Sequence, residues 1–363
     1  MKKEEKIRIG ISIGDLNGIG SEVILKTFED SRMLDFCTPV IFASMKVLNF
    51  LKKHYKIESN LFGIDSLDKI VDGKINVFNV WKESVTITFG KEDQVIGRYA
   101  IKSLTAAVDA LKNNAIDALV TAPINKHSIQ SEEFKFPGHT DYLDQELEGN
   151  SLMFMITDTL KVGLLTDHVA IKDIAQKITP ELIKQKIETI HTTLKQDFKI
   201  AKPKIAILGI NPHSGDNGVI GKEDNDILKP TIANIQASGK LVYGPYAADS
   251  FFGSDNYKVF DAVVASYHDQ GLIPFKTLSF GNGVNFTAGL TKVRTSPDHG
   301  TAFEIAGQNK ADAGSFKEAV FAALRIFKNR TEYLELIQNP LKKQPKRPKY
   351  RNTKKNAAHK EKD

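Results

Sequence analysis

Three apolar segments of this chain each end on a histidine. They are VGLLTDH, KIAILGINPH and FDAVVASYH, which end on His168, His213 and His268. Each is a short apolar run closed by polar or turn residues, which is typical of a buried strand. Because ligands bind outside the carboxyl ends of parallel strands, the three imidazoles can converge at one sheet edge. Three imidazoles around an open coordination position form a catalytic metal site, and the pattern predicts one here.

The same histidines also have a simpler interpretation. A single histidine at the end of a strand is most often a hydrogen-bonded loop residue. All three lie in polar, turn-rich loops, such as NPHSG at 211–215. Spacing alone therefore leaves a shared metal and three unrelated loop residues as open alternatives.

Strand-like and helix-like segments alternate along the chain, which indicates an α/β fold with helices on a largely parallel sheet. The predicted strands before the first histidine cover 6–14, 39–44 and 117–123, and the predicted helices begin near Ser21 and cover 97–114, 179–198 and 315–329. In the helix at 179–198, Thr179 can cap the N-terminus and Pro180 suits the first helical position.

Composition narrows the class of protein. The 363 residues are 41% hydrophobic and 26% charged, so we expect a globular chain long enough for two domains. No segment approaches a membrane span, and the N-terminus lacks the apolar core of a secretory signal. Cys37 is the single cysteine, which fits a reducing compartment, and we expect a cytoplasmic protein.

The basic character of the chain lies at its C-terminal end. Residues 342–363 hold ten Lys or Arg and two Asp or Glu, a net charge of +8 in a chain whose total is +6. We predict a disordered basic tail at 341–363. A solvated tail is favoured over a nucleic-acid contact, because no interleaved aromatics or recognised fold accompany the charge.

Several loops carry further polar candidates. GDLNGIGSE (14–22) joins a strand to a helix, and its glycines permit close approach of an anion, although a tight turn explains them equally well. Asp15 within it is a candidate polar contact. Lys276 and Arg294 are cations that suit phosphate or carboxylate. TSPDHGTAFEIAG (295–307) can wrap a nucleotide and lead into a helix near Thr301.

Eight motifs then occur in one order: GDLNGIG, TAPINK, PGHTDYL, NPHSG, GPYAADSFF, YHDQGLIPFK, FGNGVN and RTSPDHGTAFEIAG. From about residue 6 to 335 the chain closely resembles 4-hydroxythreonine-4-phosphate dehydrogenases, the PdxA family. The resemblance implies an α/β, isocitrate/isopropylmalate-dehydrogenase-like fold with two α/β subdomains around an active-site cleft. We expect 1–128 plus 305–340 to form the first subdomain and 129–304 the second. The resemblance also implies a homodimer whose active sites lie at the interface.

The resemblance assigns roles by motif. His168, His213 and His268 match three metal ligands, with His268 expected to reach across the dimer. The implied substrate contacts are His139, Thr140, Lys276, Asn285 and Arg294, and the implied cofactor contacts are Asp298, His299, Gly300 and Thr301. Asp249 and Asp269 are candidates for proton transfer or for holding the ligands.

The implied reaction is an oxidation that uses NAD or NADP and a divalent metal. Zinc fits three imidazoles best, with magnesium or cobalt as alternatives. The substrate would be 4-phosphohydroxy-L-threonine, in pyridoxal phosphate (vitamin B6) biosynthesis. Two alternatives stay open: a sister dehydrogenase for erythronate or threonate 4-phosphate, and a metal-dependent phosphatase or other hydrolase.

Overall fold

The computed structural model describes residues 6–132 and 134–340, so the predicted tail at 341–363 lies outside it. The strands are β1 Arg8–Ser12, β2 Thr38–Ala43, β3 Leu61–Ile64, β4 Ile75–Asn79, β5 Ala118–Thr121, β6 Gly149–Ile156, β7 Lys161–Leu164, β8 Lys204–Leu208, β9 Leu241–Tyr246, β10 Ala262–Ala265, β11 Val284–Leu290 and β12 Val293–Pro297. The α-helices are α1 Gly20–Glu29, α2 Met33–Phe36, α3 Met45–Tyr55, α4 Gln94–Lys112, α5 His139–Glu146, α6 Ile174–Lys177, α7 Pro180–Gln196, α8 Lys229–Ala237, α9 Ala248–Gly253, α10 His268–Ser279 and α11 Gly314–Gln338. Within these described ranges no helix is both long and apolar enough to span a bilayer.

All twelve strands form one sheet in the order β3-β4-β2-β1-β5-β12-β11-β6-β7-β10-β8-β9. The first six strands in this order are mutually parallel, and so are the last four. Three antiparallel pairings, β12–β11, β11–β6 and β6–β7, separate these halves. The parallel halves therefore run in opposite directions. Helices alternate with the strands, and the predicted α/β class is confirmed.

The helices follow the apolar patterns from which they were predicted. In α7 the Thr179 side chain accepts a hydrogen bond from the backbone N–H of Leu182, and Pro180 occupies the first turn. Ile183, Ile187 and Ile190 are buried on one face of this helix. The predicted helix at 179–198 is confirmed, because the cap and the apolar stripe act on the same segment.

The three strands that precede the histidines are neighbours. β10 pairs in parallel with β7 on one side and with β8 on the other. Leu164 at the end of β7 lies opposite Ala265 at the end of β10. The carboxyl ends of these strands share an edge, as the sequence pattern predicted.

The predicted helix near Thr301 is wrong. Residues 303–309 form turns, and the next helix begins only at Gly314. Ala302, Gly307 and Asn309 have left-handed φ angles of 44°, 77° and 60°, which interrupt a helical hydrogen-bond ladder. The proposed division into subdomains at 128 and 305 stays a prediction.

Candidate functional site

A cavity of about 280 Å³ lies over the central antiparallel strands. Its floor includes Met155, Asn285 and Ser296, which face one another across β6, β11 and β12 in register. Met153 and Arg294 each lie two positions along from a floor residue, so they point to the same face of the sheet. The cavity therefore lies at the centre of the sheet, where the strand direction changes.

The cavity brings together most of the residues predicted from the sequence. Ten of them line it: His139, Thr140, His168, His268, Lys276, Asn285, Arg294, Asp298, His299 and Gly300. His213, Asp249, Asp269 and Thr301 do not line it. Thr121, Lys126 and Asp141 also line it and were not predicted. Thr121 could have been found from its place at the end of a predicted strand.

Arg294 supplies a buried positive charge to this cavity. Its side chain is 2% exposed, and its hydrogen bonds go to two hydroxyl groups. Nη2 donates to Thr121 Oγ1 at 2.6 Å, and Nη1 donates to Thr287 Oγ1 at 3.0 Å. Burial lowers the pKa of Arg294 to about 9, so the group stays protonated at neutral pH. No carboxylate of the described residues pairs with it, and such a charge favours an anionic ligand.

Three further polar atoms at the cavity are buried without a hydrogen-bond partner among the described residues. They are His139 Nε2, Asn285 Oδ1 and His299 Nε2. Burial, together with the charge of Arg294, holds the pKa of His139 well below its usual range, so this imidazole is neutral. Buried polar atoms are normally paired, so these atoms indicate groups that a ligand satisfies.

His168 and His268 lie close together at the strand edge. Their ring centroids are 6.0 Å apart. His268 is the first residue of α10, and its Nδ1 lies 2.7 Å from Asp269 Oδ1. Such a contact orients an imidazole and directs its Nε2 outward as a ligand. Asp269 therefore acts on the cavity through His268.

His213 occupies a separate loop after β8. Residues 213–217 all have left-handed φ angles. Buried Asp224 anchors the start of this loop, because its carboxylate accepts hydrogen bonds from the backbone N–H groups of Ile210 and Asn211. Across residues 6–132 and 134–340, no three His, Cys, Asp or Glu side chains of one chain converge as a metal site. The structure thus brings two of the three predicted metal ligands together, His168 and His268, and a three-ligand site would need a further donor.

Residues 298–300 of the candidate cofactor loop line the cavity. Lys276 Nζ donates a hydrogen bond to the carbonyl oxygen of Asp298 at 3.0 Å. Burial raises the pKa of Asp298, while Lys276 and His299 oppose that rise. Thr301 turns away, and its carbonyl oxygen accepts a hydrogen bond from the N–H of Ile19. Asp249 lies on α9, outside the cavity.

Several known proteins are similar to this chain in sequence and in fold. Residues 35–323 match the family described as pyridoxal phosphate biosynthetic protein PdxA. The chain belongs to the PdxA family. A 4-hydroxythreonine-4-phosphate dehydrogenase from Bacteroides thetaiotaomicron is 46% identical over 344 residues, which cover 94% of each chain. A D-threonate 4-phosphate dehydrogenase from Cupriavidus necator is 38% identical and covers 86% of this chain and 95% of its own.

A solved structure of a related enzyme has the same fold as this chain. A crystal structure of a 4-hydroxythreonine-4-phosphate dehydrogenase from Burkholderia phymatum superposes with a TM-score of 0.73 at 34% identity, covering 89% of this chain and 99% of its own. The predicted family and the predicted α/β fold are confirmed. The PdxA-family chain is an enzyme, an oxidoreductase of the dehydrogenase class, as predicted.

Proposed function

We propose that this chain oxidises 4-phosphohydroxy-L-threonine to 2-amino-3-oxo-4-phosphooxybutanoate, with NAD or NADP as the acceptor. The product then decarboxylates to 3-amino-2-oxopropyl phosphate, in the cytoplasmic synthesis of pyridoxal phosphate. The observation that carries this proposal is the buried guanidinium of Arg294, which has hydroxyl partners and faces a small polar cavity. A phosphate or carboxylate on a small substrate supplies the missing negative charge.

The chain's own residues would bind and orient the substrate. Arg294 and Lys276 would hold its anionic ends, and neutral His139 would form one further hydrogen bond without adding charge. Met153 and Met155 give the floor an apolar surface that excludes water from the reacting carbon. Thr140 and Asn285 add polar contacts along the same walls.

A divalent metal, zinc with magnesium or cobalt as alternatives, would be held by His168, His213 and His268. When bound, such a metal would supply positive charge at the hydroxyl to be oxidised, and the nicotinamide would supply the hydride acceptor. The carboxylate of Asp269 would keep His268 in its ligand orientation, and we retain Asp249 as a candidate for proton transfer. The loop Asp298, His299, Gly300 and Thr301 would hold the dinucleotide.

We further propose a homodimer with shared active sites. Ile273 on α10 is 64% exposed, and Phe280, just after this helix, is 85% exposed. Large exposed apolar side chains in one region favour a protein partner. Because His268 begins the same helix, a second copy that covers this face would approach the cavity and could contribute the missing ligand.

A second candidate function has its own support. The relative from Cupriavidus necator is named D-threonate 4-phosphate dehydrogenase, and this chain shares 38% of its residues. Both substrates carry a 4-phosphate and a carboxylate, so the contacts proposed for Arg294 and Lys276 serve either. A metal-dependent phosphatase would release phosphate without NAD.

The deciding experiment follows NADH or NADPH formation with 4-phosphohydroxy-L-threonine, D-threonate 4-phosphate and D-erythronate 4-phosphate, each with added divalent metal. We expect Arg294→Met to lower kcat/KM by roughly 100-fold, because charged hydrogen bonds to the substrate are lost. Arg325→Met is the matched control, because Arg325 is an exposed arginine paired with Asp158.

The products formed in this experiment distinguish the three candidate functions. Turnover of D-threonate or D-erythronate 4-phosphate alone would keep the chemistry and change the substrate. Phosphate release without any reduced nucleotide would replace the dehydrogenase proposal by the hydrolase.

A further inference from the structure

The glycine loop at 14–20 has no contact with the cavity described above, and its residues are buried. We propose that Asn17 in this loop is a positioning residue for the dinucleotide, because it fixes the segment 88–91 on which the loop 298–307 rests. This inference rests on the proposed function, since it concerns the cofactor of that reaction. It assigns Asn17 no contact with the substrate.

Asn17 joins two loops through a dense set of hydrogen bonds. Its side chain is fully buried. Nδ2 donates to the carbonyl oxygen of Lys91 at 2.8 Å, and Oδ1 accepts from the N–H of Thr88 at 2.8 Å. The Asn17 carbonyl oxygen accepts from the N–H of Gly90 at 2.8 Å. The side-chain amide and the backbone carbonyl of Asn17 together hold residues 88–91.

Residues 88–91 lie directly against the candidate cofactor loop, residues 298–307. Gly90 has a φ of 75°, and a Cβ there would lie 2.7 Å from the carbonyl oxygen of Phe303. A Cβ at Gly307 would lie 2.6 Å from the ring of Phe89. No side chain larger than hydrogen fits at either contact, so a shift of residues 88–90 must move residues 303–307.

The glycine loop also holds the start of the cofactor loop. Ile19 N–H donates to the carbonyl oxygen of Thr301 at 3.0 Å. A Cβ at Gly18 would lie 2.8 Å from that same oxygen. The loop 298–307 is therefore fixed from both ends by residues 17–19 and 88–90. This gives the first glycine motif a role in presenting the dinucleotide site, without contacting the ligand itself.

The test compares two buried asparagines. Asn76 is also fully buried, and its Nδ2 donates to the carbonyl oxygens of Val71 and Lys74 while its Oδ1 accepts from the N–H of Val71. It lies on β4, and none of these bonds reaches residues 298–307. Asn17→Ala and Asn76→Ala therefore remove equivalent side chains, and they differ in which loop they release.

The measurements are calorimetric binding of NADH and the KM values for NAD and for the phosphorylated substrate. For Asn17→Ala we expect the Kd for NADH and the KM for NAD to rise about tenfold or more, since the Thr88 N–H and the Lys91 carbonyl oxygen lose the partner that holds them in place. The KM for the phosphorylated substrate should stay within about twofold of wild type. Asn76→Ala should keep the wild-type values for both.

If Asn17→Ala does not fold, Gly90→Ala with Gly73→Ala as its control makes the same comparison. Both glycines have φ near 75°, and a Cβ at Gly73 meets nothing within 4 Å. Unchanged NADH binding in Asn17→Ala or Gly90→Ala would overturn the inference, and so would equal weakening in the control variants. Wild-type enzyme that binds neither NADH nor NADPH and reduces neither NAD nor NADP would instead reject the proposed function itself.

Discussion

Arg294 and Asp15 are buried ionisable side chains without an oppositely charged partner in the described ranges. They differ in where their polar atoms face. Arg294 lines the cavity, where a ligand can compensate its charge. Asp15 lies in the glycine loop, where Oδ1 accepts a hydrogen bond from the N–H of Asn17 and Oδ2 has no partner. The free-energy cost of burying the Asp15 carboxylate therefore lowers the stability of the folded chain.

The pKa of Asp15 predicts how stability depends on pH. Burial raises it from 3.8 to about 6, so the folded state holds this proton more tightly than the unfolded state. Stability from this group is greatest below pH 4 and falls by up to about 3 kcal/mol as the pH rises towards 6. Asp15→Asn should remove this slope and be more stable than wild type at pH 7.5.

Urea unfolding between pH 4 and 7.5 measures the effect, with Asp35→Asn, at an exposed position, as the control. An Asp15→Asn protein that keeps the wild-type slope would show that Asp15 is ionised in the folded state without penalty.

The residues of the site were predicted unevenly. Arg294 was a candidate from its charge as well as from motif resemblance, and the resemblance assigned His139 and Asn285 to the substrate. Their burial and missing hydrogen-bond partners are visible only in the structure. No sequence pattern indicated the role of Asn17, because its hydrogen-bond partners lie at residues 88–91, more than 70 positions away. Long-range pairing of this kind leaves no periodic pattern in a sequence.

The elements with a buried apolar pattern were predicted well, whereas exposed helix ends and left-handed loop residues were not. α7 has a cap and an apolar stripe, and its predicted bounds agree with the structure to within two residues. α11 was predicted to end at 329 but continues to Gln338. Its last turns are mostly exposed, so no buried stripe marked them in the sequence. The left-handed residues at 213–217 and 302 were missed because none is a glycine except Gly215.

One buried ion pair ties α11 to the sheet. Arg330 Nε and Nη2 bind both carboxylate oxygens of Asp197 at 2.7 and 2.8 Å, and Nη1 donates to the carbonyl oxygen of Leu290. Arg330→Ala would leave the buried carboxylate unpaired, and we expect a loss of about 3–5 kcal/mol in unfolding free energy.

Lys199→Ala is the control, because Lys199 and Glu332 form an exposed ion pair between the same two regions. Its loss should cost less than about 1 kcal/mol in the same denaturant titration. Equal losses for the two variants would mean that the buried pair contributes no more than a surface pair.

At the scale of the whole molecule, one chain does not complete the proposed metal site. His168 and His268 approach each other, whereas His213 does not line the cavity of the same chain. A homodimer with shared sites would supply the missing ligand from a second copy. This arrangement has a consequence that mixtures of inactive variants can test.

His213→Ala and His268→Ala should each be inactive alone. In a refolded equal mixture, half of the dimers are mixed and one of their two sites is intact, so about a quarter of wild-type activity should return. Mixtures with His168→Ala show which histidine crosses: recovery with His268→Ala identifies His268, and recovery with His213→Ala identifies His213. Dimers that form but recover no activity in any pairing would exclude a shared site.

The hydroxyl partners of Arg294 have a further consequence for selectivity inside a cell. The protein's own described residues leave the charge of Arg294 and the unpaired polar atoms of the cavity uncompensated, so a metabolite without an anionic group would leave them unsatisfied. Sites that hold buried polar groups for one substituent reject analogues lacking it by roughly 10⁴-fold. Neutral sugars and polyols, which carry neither a phosphate nor a carboxylate, would therefore be poor competitors, and discrimination among phosphorylated four-carbon acids would be much weaker.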